Sequence, residues 1–197
     1  MESQDAQPAQ EAQEAAAGDA SLSDALQLLD ETVARFQSKP SMAGAHDTAQ
    51  RAYDKFCRNR TAQLHATFYA LVGMPDFAAA RFNPKFGPFA LPTGGCKEQR
   101  CVEGMEQGGR CHGVIRYEYK ASIIEECHME GKEHGLRVVC TQVGQIWLRL
   151  YKNGERMAQI VLNGDSTVAA MPKPIDDGGL KTLQSHLHLI QDCFKKK

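Results

Sequence analysis

Two short segments constrain this chain more than anything else in it. Gly109-Arg110-Cys111-His112-Gly113-Val114 and Gly131-Lys132-Glu133-His134-Gly135-Leu136 match at an offset of 22 residues. A third segment, Gly154-Glu155-Arg156-Met157-Ala158-Gln159, follows 23 residues later with Met in the His place and Ala in place of the second Gly. Each copy is a turn glycine followed by a His-Gly step into a run of β-formers. A unit this short cannot bury an apolar face alone, so successive units must stack into one continuous sheet.

The surrounding residues obey the same rule. From Arg100 to about Leu162, alternating runs such as HGVIRYEY, ASIIEECHM, LRVVCTQ, IWLRLY and RMAQIVLN are separated by short turns, most of them containing glycine. Period-two alternation puts successive side chains on opposite faces of a strand. Asn153-Gly154 between two such runs signals a two-residue hairpin, because a type I′ turn needs positive φ at both central positions. The prediction is an antiparallel β-meander over 100–165, with one face needing a cover.

The repeated residues resemble the MORN (membrane occupation and recognition nexus) repeat, whose core reads Gly-Lys-x-His-Gly. GRCHGV and GKEHGL match that core, and GERMAQ keeps only its turn glycine. The aromatics that open a typical unit are mostly absent, Trp147 and Tyr151 before the third copy being the rings present. The resemblance implies stacked hairpins, a scaffolding role, dimerisation and, in some members, contact with anionic membranes. Gly109, His112, Gly113, Gly131, His134, Gly135 and Gly154 would then be structural rungs. On physical grounds, each His beside a turn glycine is expected to brace the neighbouring turn.

Helical spacing flanks the meander on both sides. Leu22, Leu26, Leu29, Val33 and Phe36 form one stripe ending before Pro40. A longer helix is expected from about Ala45 to Val72, with Ala49, Tyr53, Phe56, Leu64, Phe68 and Leu71 on one face and Gly73 and Pro75 as its stop. The two would form a helical hairpin over 21–73. Residues 74–99 interleave Phe77, Phe82, Phe86 and Phe89 with four prolines, an ordered connector laid over a core. Leu180, Leu183, Leu187, Ile190 and Phe194 give a C-terminal helix in 166–197, before the basic tail Lys195–Lys197. The fold class expected is α+β.

Composition narrows function mainly by exclusion. Hydrophobic residues make up 42% and charged residues 24%, which excludes a wholly disordered or collagen-like chain. Residues 1–40 hold eight acids and two bases, a balance of −6, and 41–197 hold sixteen acids and twenty-one bases, a balance of +5. That excess is too scattered for a nucleic-acid footprint. Residues 1–20 lack large apolar side chains and are expected to be a disordered acidic tail. No secretory or transit segment and no membrane-spanning run is read, so the expectation is an intracellular protein, cytoplasmic or associated with cytoskeleton or membrane.

Seven cysteines without a secretory signal are expected to be reduced. Cys96, Cys101, Cys111 and His134 are the candidate zinc ligands. Their spacing is loose, and alternation separates neighbours such as Cys111 and His112 onto opposite faces. No nucleophile elbow, Walker loop or HExxH helix occurs, and no cofactor is expected. The leading expectation is a non-enzymatic module that docks on other proteins in a larger assembly. Its contacts would be Arg116, Tyr117, Arg137, Arg149 and Tyr151 on exposed strand faces, since Arg and Tyr favour interfaces. The alternatives are a small enzyme or zinc- or ligand-binding domain using Cys and His of the sheet, and an anionic-membrane adaptor using the basic tail.

Overall fold

A computed structural model of the chain describes residues 23–37, 46–85, 100–171 and 177–194. The acidic segment 1–20, Cys96, Phe86, Phe89 and the tail Lys195–Lys197 lie outside the described residues, as do the side chains of residues 100–102. Helix α1 covers 23–37. It is followed by α2 (Asp47–Asn59), α3 (Ala62–Val72), β1 (Arg81–Asn83), β2 (Arg100–Gln107), β3 (Arg110–Tyr119) and β4 (Ser122–Met129). Then come β5 (Lys132–Cys140), β6 (Ile146–Lys152), β7 (Glu155–Leu162), β8 (Val168–Ala170), α4 (Asp177–Ser185) and α5 (Leu187–Phe194).

The eight strands form one antiparallel sheet in strict chain order, and with the flanking helices the fold is α+β. The meander extends beyond the expected span at both edges. Arg81–Asn83 of the Phe/Pro segment pairs with β2, and β8 pairs with β7. Four hairpins turn through consecutive residues at positive φ: Gly108-Gly109, Lys120-Ala121, Glu130-Gly131 and Asn153-Gly154. That is the I′ pattern, which matches the strand twist.

Alternation divides the sheet into two faces. One carries Ile123, Leu136, Val138, Leu148 and Ile160, buried against Tyr53, Phe56, Leu64, Phe68, Ile190 and Phe194 of the helices. Val114 and Cys127, farther along this face, pack with Ala25, Leu29 and Phe36 of α1 and with Phe77. Fully burying one such side chain is worth about 1.5–3 kcal/mol, so the helices and this face need each other. On the other face Ile115, Tyr117, Ile124 and Val139 cluster with Trp147, all of them strand residues.

Two helical expectations are corrected. The long helix over Ala45–Val72 is broken, because Arg60 and Thr61 are extended with ψ near 160°. The break carries the Arg60 guanidinium into a buried ion pair with Glu125. It also re-aims the chain, so that α3 is buried on most sides while Leu71, expected on the apolar face, is 41% exposed. The C-terminal helix is likewise two short helices, separated at His186.

Ala121 sits at φ +60°, where a Cβ is strained and glycine is not. Ala121→Gly is expected to raise the unfolding free energy by about 1 kcal/mol, read from urea denaturation midpoints at unchanged slope.

Candidate functional site

The repeated histidines lie on the helix-covered face and act on backbone. His112 Nδ1 accepts the Glu130 N–H at 3.1 Å, and its Nε2–H donates to the Asp76 carbonyl at 2.8 Å. One unit later, His134 Nδ1 accepts the Asn153 N–H at 3.1 Å, and its Nε2–H donates to the Gly73 carbonyl at 2.7 Å. A parallel pair of backbone bonds runs from Gly131 N–H to the Cys111 carbonyl (2.8 Å) and from Gly154 N–H to the Glu133 carbonyl (2.7 Å). Each imidazole therefore ties the next hairpin's turn to the loop leaving α3. The second glycine of each unit makes room: a Cβ on Gly113 would lie 2.5 Å from the Met105 sulfur, and one on Gly135 would press on Cys127 and the Tyr69 ring. In the third unit, Met157 stands in the His place and packs against Gly179 of α4, so the rung gives way to helix docking.

The most densely charged interior group centres on Glu125, which is fully buried. Its carboxylate pairs with Arg60, lies 2.8 Å from His65 Nε2, and accepts the Tyr53 hydroxyl at 2.6 Å. Burial alone would push the Glu125 carboxyl up, but Arg60, His65 and Tyr53 outweigh it and hold it at about 2. Two helical residues, Tyr53 and His65, and Arg60 from the break between their helices thus converge on one strand residue. Cys127 Sγ lies 3.5 Å from His65 Nδ1, which completes a thiol–imidazole–carboxylate string. That connectivity is the one a thiol nucleophile uses, but here every member is sealed inside. Burial pushes the Cys127 thiol up to about 12, the opposite of activation.

The other described thiols follow the same pattern. Burial raises Cys57 to about 11, Cys111 and Cys193 to about 12, and Cys140 further. Among the described residues, no group of three or more His, Cys, Asp or Glu is placed to hold a metal ion. Of the candidate zinc ligands, Cys111 packs on the sheet face opposite the helices while His134 stacks on Tyr69 of α3, so they diverge. A cavity of about 480 Å³ opens between α1, α2 and β3, lined by Phe36, Gln50, Tyr53, Asp54, Cys57 and Arg116.

The residues expected as partner contacts separate. Arg116 is a correction: it lies on the helix-covered face, 1% exposed, 3.7 Å from Glu103 and 3.4 Å from the Phe36 carbonyl. Tyr117 and Tyr151 are buried as well, at 2% and 7% exposure, Tyr117 in a cluster with Cys111, Ile115, Ile124 and Val139. Tyr117 donates to Glu126 at 3.1 Å. Arg137 is held between Glu126 (3.1 Å) and Glu133, so its charge is already spent. Arg149 alone of the five remains half-exposed without a carboxylate partner among the described residues.

What alternation could not reveal is the pair of rows on that face. One runs Tyr117–Ile124–Val139–Trp147–Val161 across five strands, and the next runs Ile115–Glu126–Arg137–Arg149–Gln159. Trp147 is half-buried, its indole N–H on Gln145 at 3.1 Å, with the Arg149 guanidinium 5.1 Å from its ring. No family model, no curated protein and no solved structure matches this chain.

Removing one partner of the buried pair leaves the other charge uncompensated. Glu125→Ala is expected to cost about 3–5 kcal/mol, and the double change Arg60→Met with Glu125→Leu to recover most of it. A carboxyl lowered from 4.5 to about 2 contributes stability above pH 4.5 that is lost as the pH falls toward 2. Acid titration of the unfolding free energy should show that loss, and the double variant should lack its share of it.

Proposed function

We propose that this chain is a non-enzymatic interaction module that docks a partner protein on the sheet face opposite its helices, around Trp147 and Arg149. The observation that carries this reading is the asymmetry of the two faces. Among the described residues, the helices bury one of them in two clusters, while the cluster on the other holds strand residues alone and presents a half-exposed Trp beside an Arg. Trp and Arg are the residues most often found to dominate binding energy at interfaces. The chemistry inside supports the same reading, since an imidazole committed to two backbone partners and a thiol raised by burial have no reactive capacity to spare.

No helix among the described residues is long and apolar enough to cross a membrane. The module would present the sheet face around Trp147 and Arg149 as a rigid platform. The stacked rungs fix strand register, and register fixes where Trp147 and Arg149 stand. Its role would be to hold a partner in place within an assembly rather than to transform it.

A photo-crosslinking amino acid in place of Trp147 is expected to capture a defined protein from extract of the native cell. The same group at Leu71 or Val143, exposed positions elsewhere, should not. Equal capture at all three positions, or none at 147, would remove this face from consideration. The enzymatic alternative has its own readout. The five described thiols should react with a disulfide reagent at neutral pH only as the protein unfolds, and one thiol reacting rapidly in the native state would reinstate it.

A further inference from the structure

The polar row on the face opposite the helices is not balanced along its length. At one end, Glu126 is engaged by Tyr117, His128 and Arg137, and Glu133 also pairs with Arg137. At the other end, Arg149 stands directly opposite Arg137 in the register, a like-charge placement that is destabilising across strands. The acceptor it finds is neutral: Arg149 Nε–H donates to Gln159 Oε1 at 2.7 Å. Arg156 donates to the same oxygen through Nη1 at 3.3 Å. Two guanidinium groups thus share one amide oxygen, and neither has a carboxylate within ion-pair distance among the described residues.

Resting on the docking reading above, we propose that Arg149 and Arg156, with Trp147 beside them, form a clamp for an acidic segment of the partner protein. A carboxylate side chain of that segment would take the guanidinium N–H groups that Gln159 leaves free. An apolar neighbour in the segment would lie against the Trp147 ring. The geometry suits this occupant in three ways. Gln159 fixes both guanidinium groups in place, so less side-chain freedom is lost on binding. Glu126 and Glu133 already neutralise Arg137, so Arg149 is the member of the cross-strand Arg pair left to meet an incoming anion. The Arg149 guanidinium lies 5.1 Å from the Trp147 ring centre, a cation–π contact that restrains the group that would grip a carboxylate.

The chain carries one Trp, and it sits in the clamp, so its fluorescence reports occupancy directly. The experiment titrates the full chain with a Leu-flanked tetraglutamate peptide and with the same peptide bearing Gln for Glu. A saturable change in Trp147 emission is expected with the Glu peptide only. It should weaken at least tenfold in Arg149→Gln/Arg156→Gln and weaken steeply as salt is raised. Circular dichroism and the denaturation midpoint confirm that the variant is folded. Gln159→Leu, which frees both guanidinium groups without removing charge, should weaken binding less than the double change does. Binding of inorganic phosphate or anionic phosphatidylserine vesicles with no response to the Glu peptide would overturn the clamp. So would equal binding of the Glu and Gln peptides, or an undiminished response in the folded double variant. If crosslinking at position 147 still captures its protein in any of those cases, the docking face stands and only its acidic ligand is wrong; if capture fails as well, both fall.

Discussion

The helices and the sheet meet at a buried carboxylate. Glu125 projects from the middle of β4 and is met by Arg60, His65 and Tyr53, each from the α2–α3 segment. Apolar burial would hold these layers together at many relative positions, because the hydrophobic effect is non-directional. An ion pair with two further hydrogen bonds is satisfied at one position only. The cost of desolvating the charges makes such a group weak evidence for net stability, but it penalises every misaligned packing by leaving a charge unpaired. It also explains the helix break: Arg60 and Thr61 leave helical geometry where the chain must deliver the guanidinium to Glu125.

The rungs work on a second axis. His112 and His134 connect each hairpin to the turn of the next and to the loop that follows α3. Register along the meander is therefore coupled to the placement of the helical layer. Where Met157 replaces the histidine, α4 packs directly on the strand, and the C-terminal helices take over the covering. The unequal third copy is the site where the sheet accepts its last helices. Among the described residues no helix packs on the far face, and strand register sets the relative positions of Trp147, Arg149 and Gln159.

Much of the fold was legible because it depends on local rules. Alternating runs, turn glycines and Asn153-Gly154 specify an antiparallel meander from nearest-neighbour geometry alone, and the flanking stripes specify amphipathic helices. The break at Arg60 carried no such signal, since neither proline nor glycine marks it. Part of the site was partly legible. The histidines were identifiable from their repetition and Arg149 from its residue type, but alternation could not say which face the helices would choose. Arg116 and Tyr117, adjacent in sequence, look equally suited to a partner, yet one is under helices and the other is packed in a cluster of strand residues.

By itself, then, the chain's order of residues determined the stacked hairpins, the helices that flank them and the places where the backbone must take positive φ. Each of these follows from interactions between residues close in sequence or repeated at a fixed period. Tertiary structure alone decided that Glu125 would be sealed among Arg60, His65 and Tyr53. It decided as well that Cys127 would be silenced beside an imidazole and that Arg149 and Arg156 would converge on one amide oxygen. The first two depend on which faces meet, and no local pattern encodes a distance between residues so far apart in the chain. The third lies within one hairpin, whose turn sets the pairing while the side-chain conformations decide which groups share the oxygen.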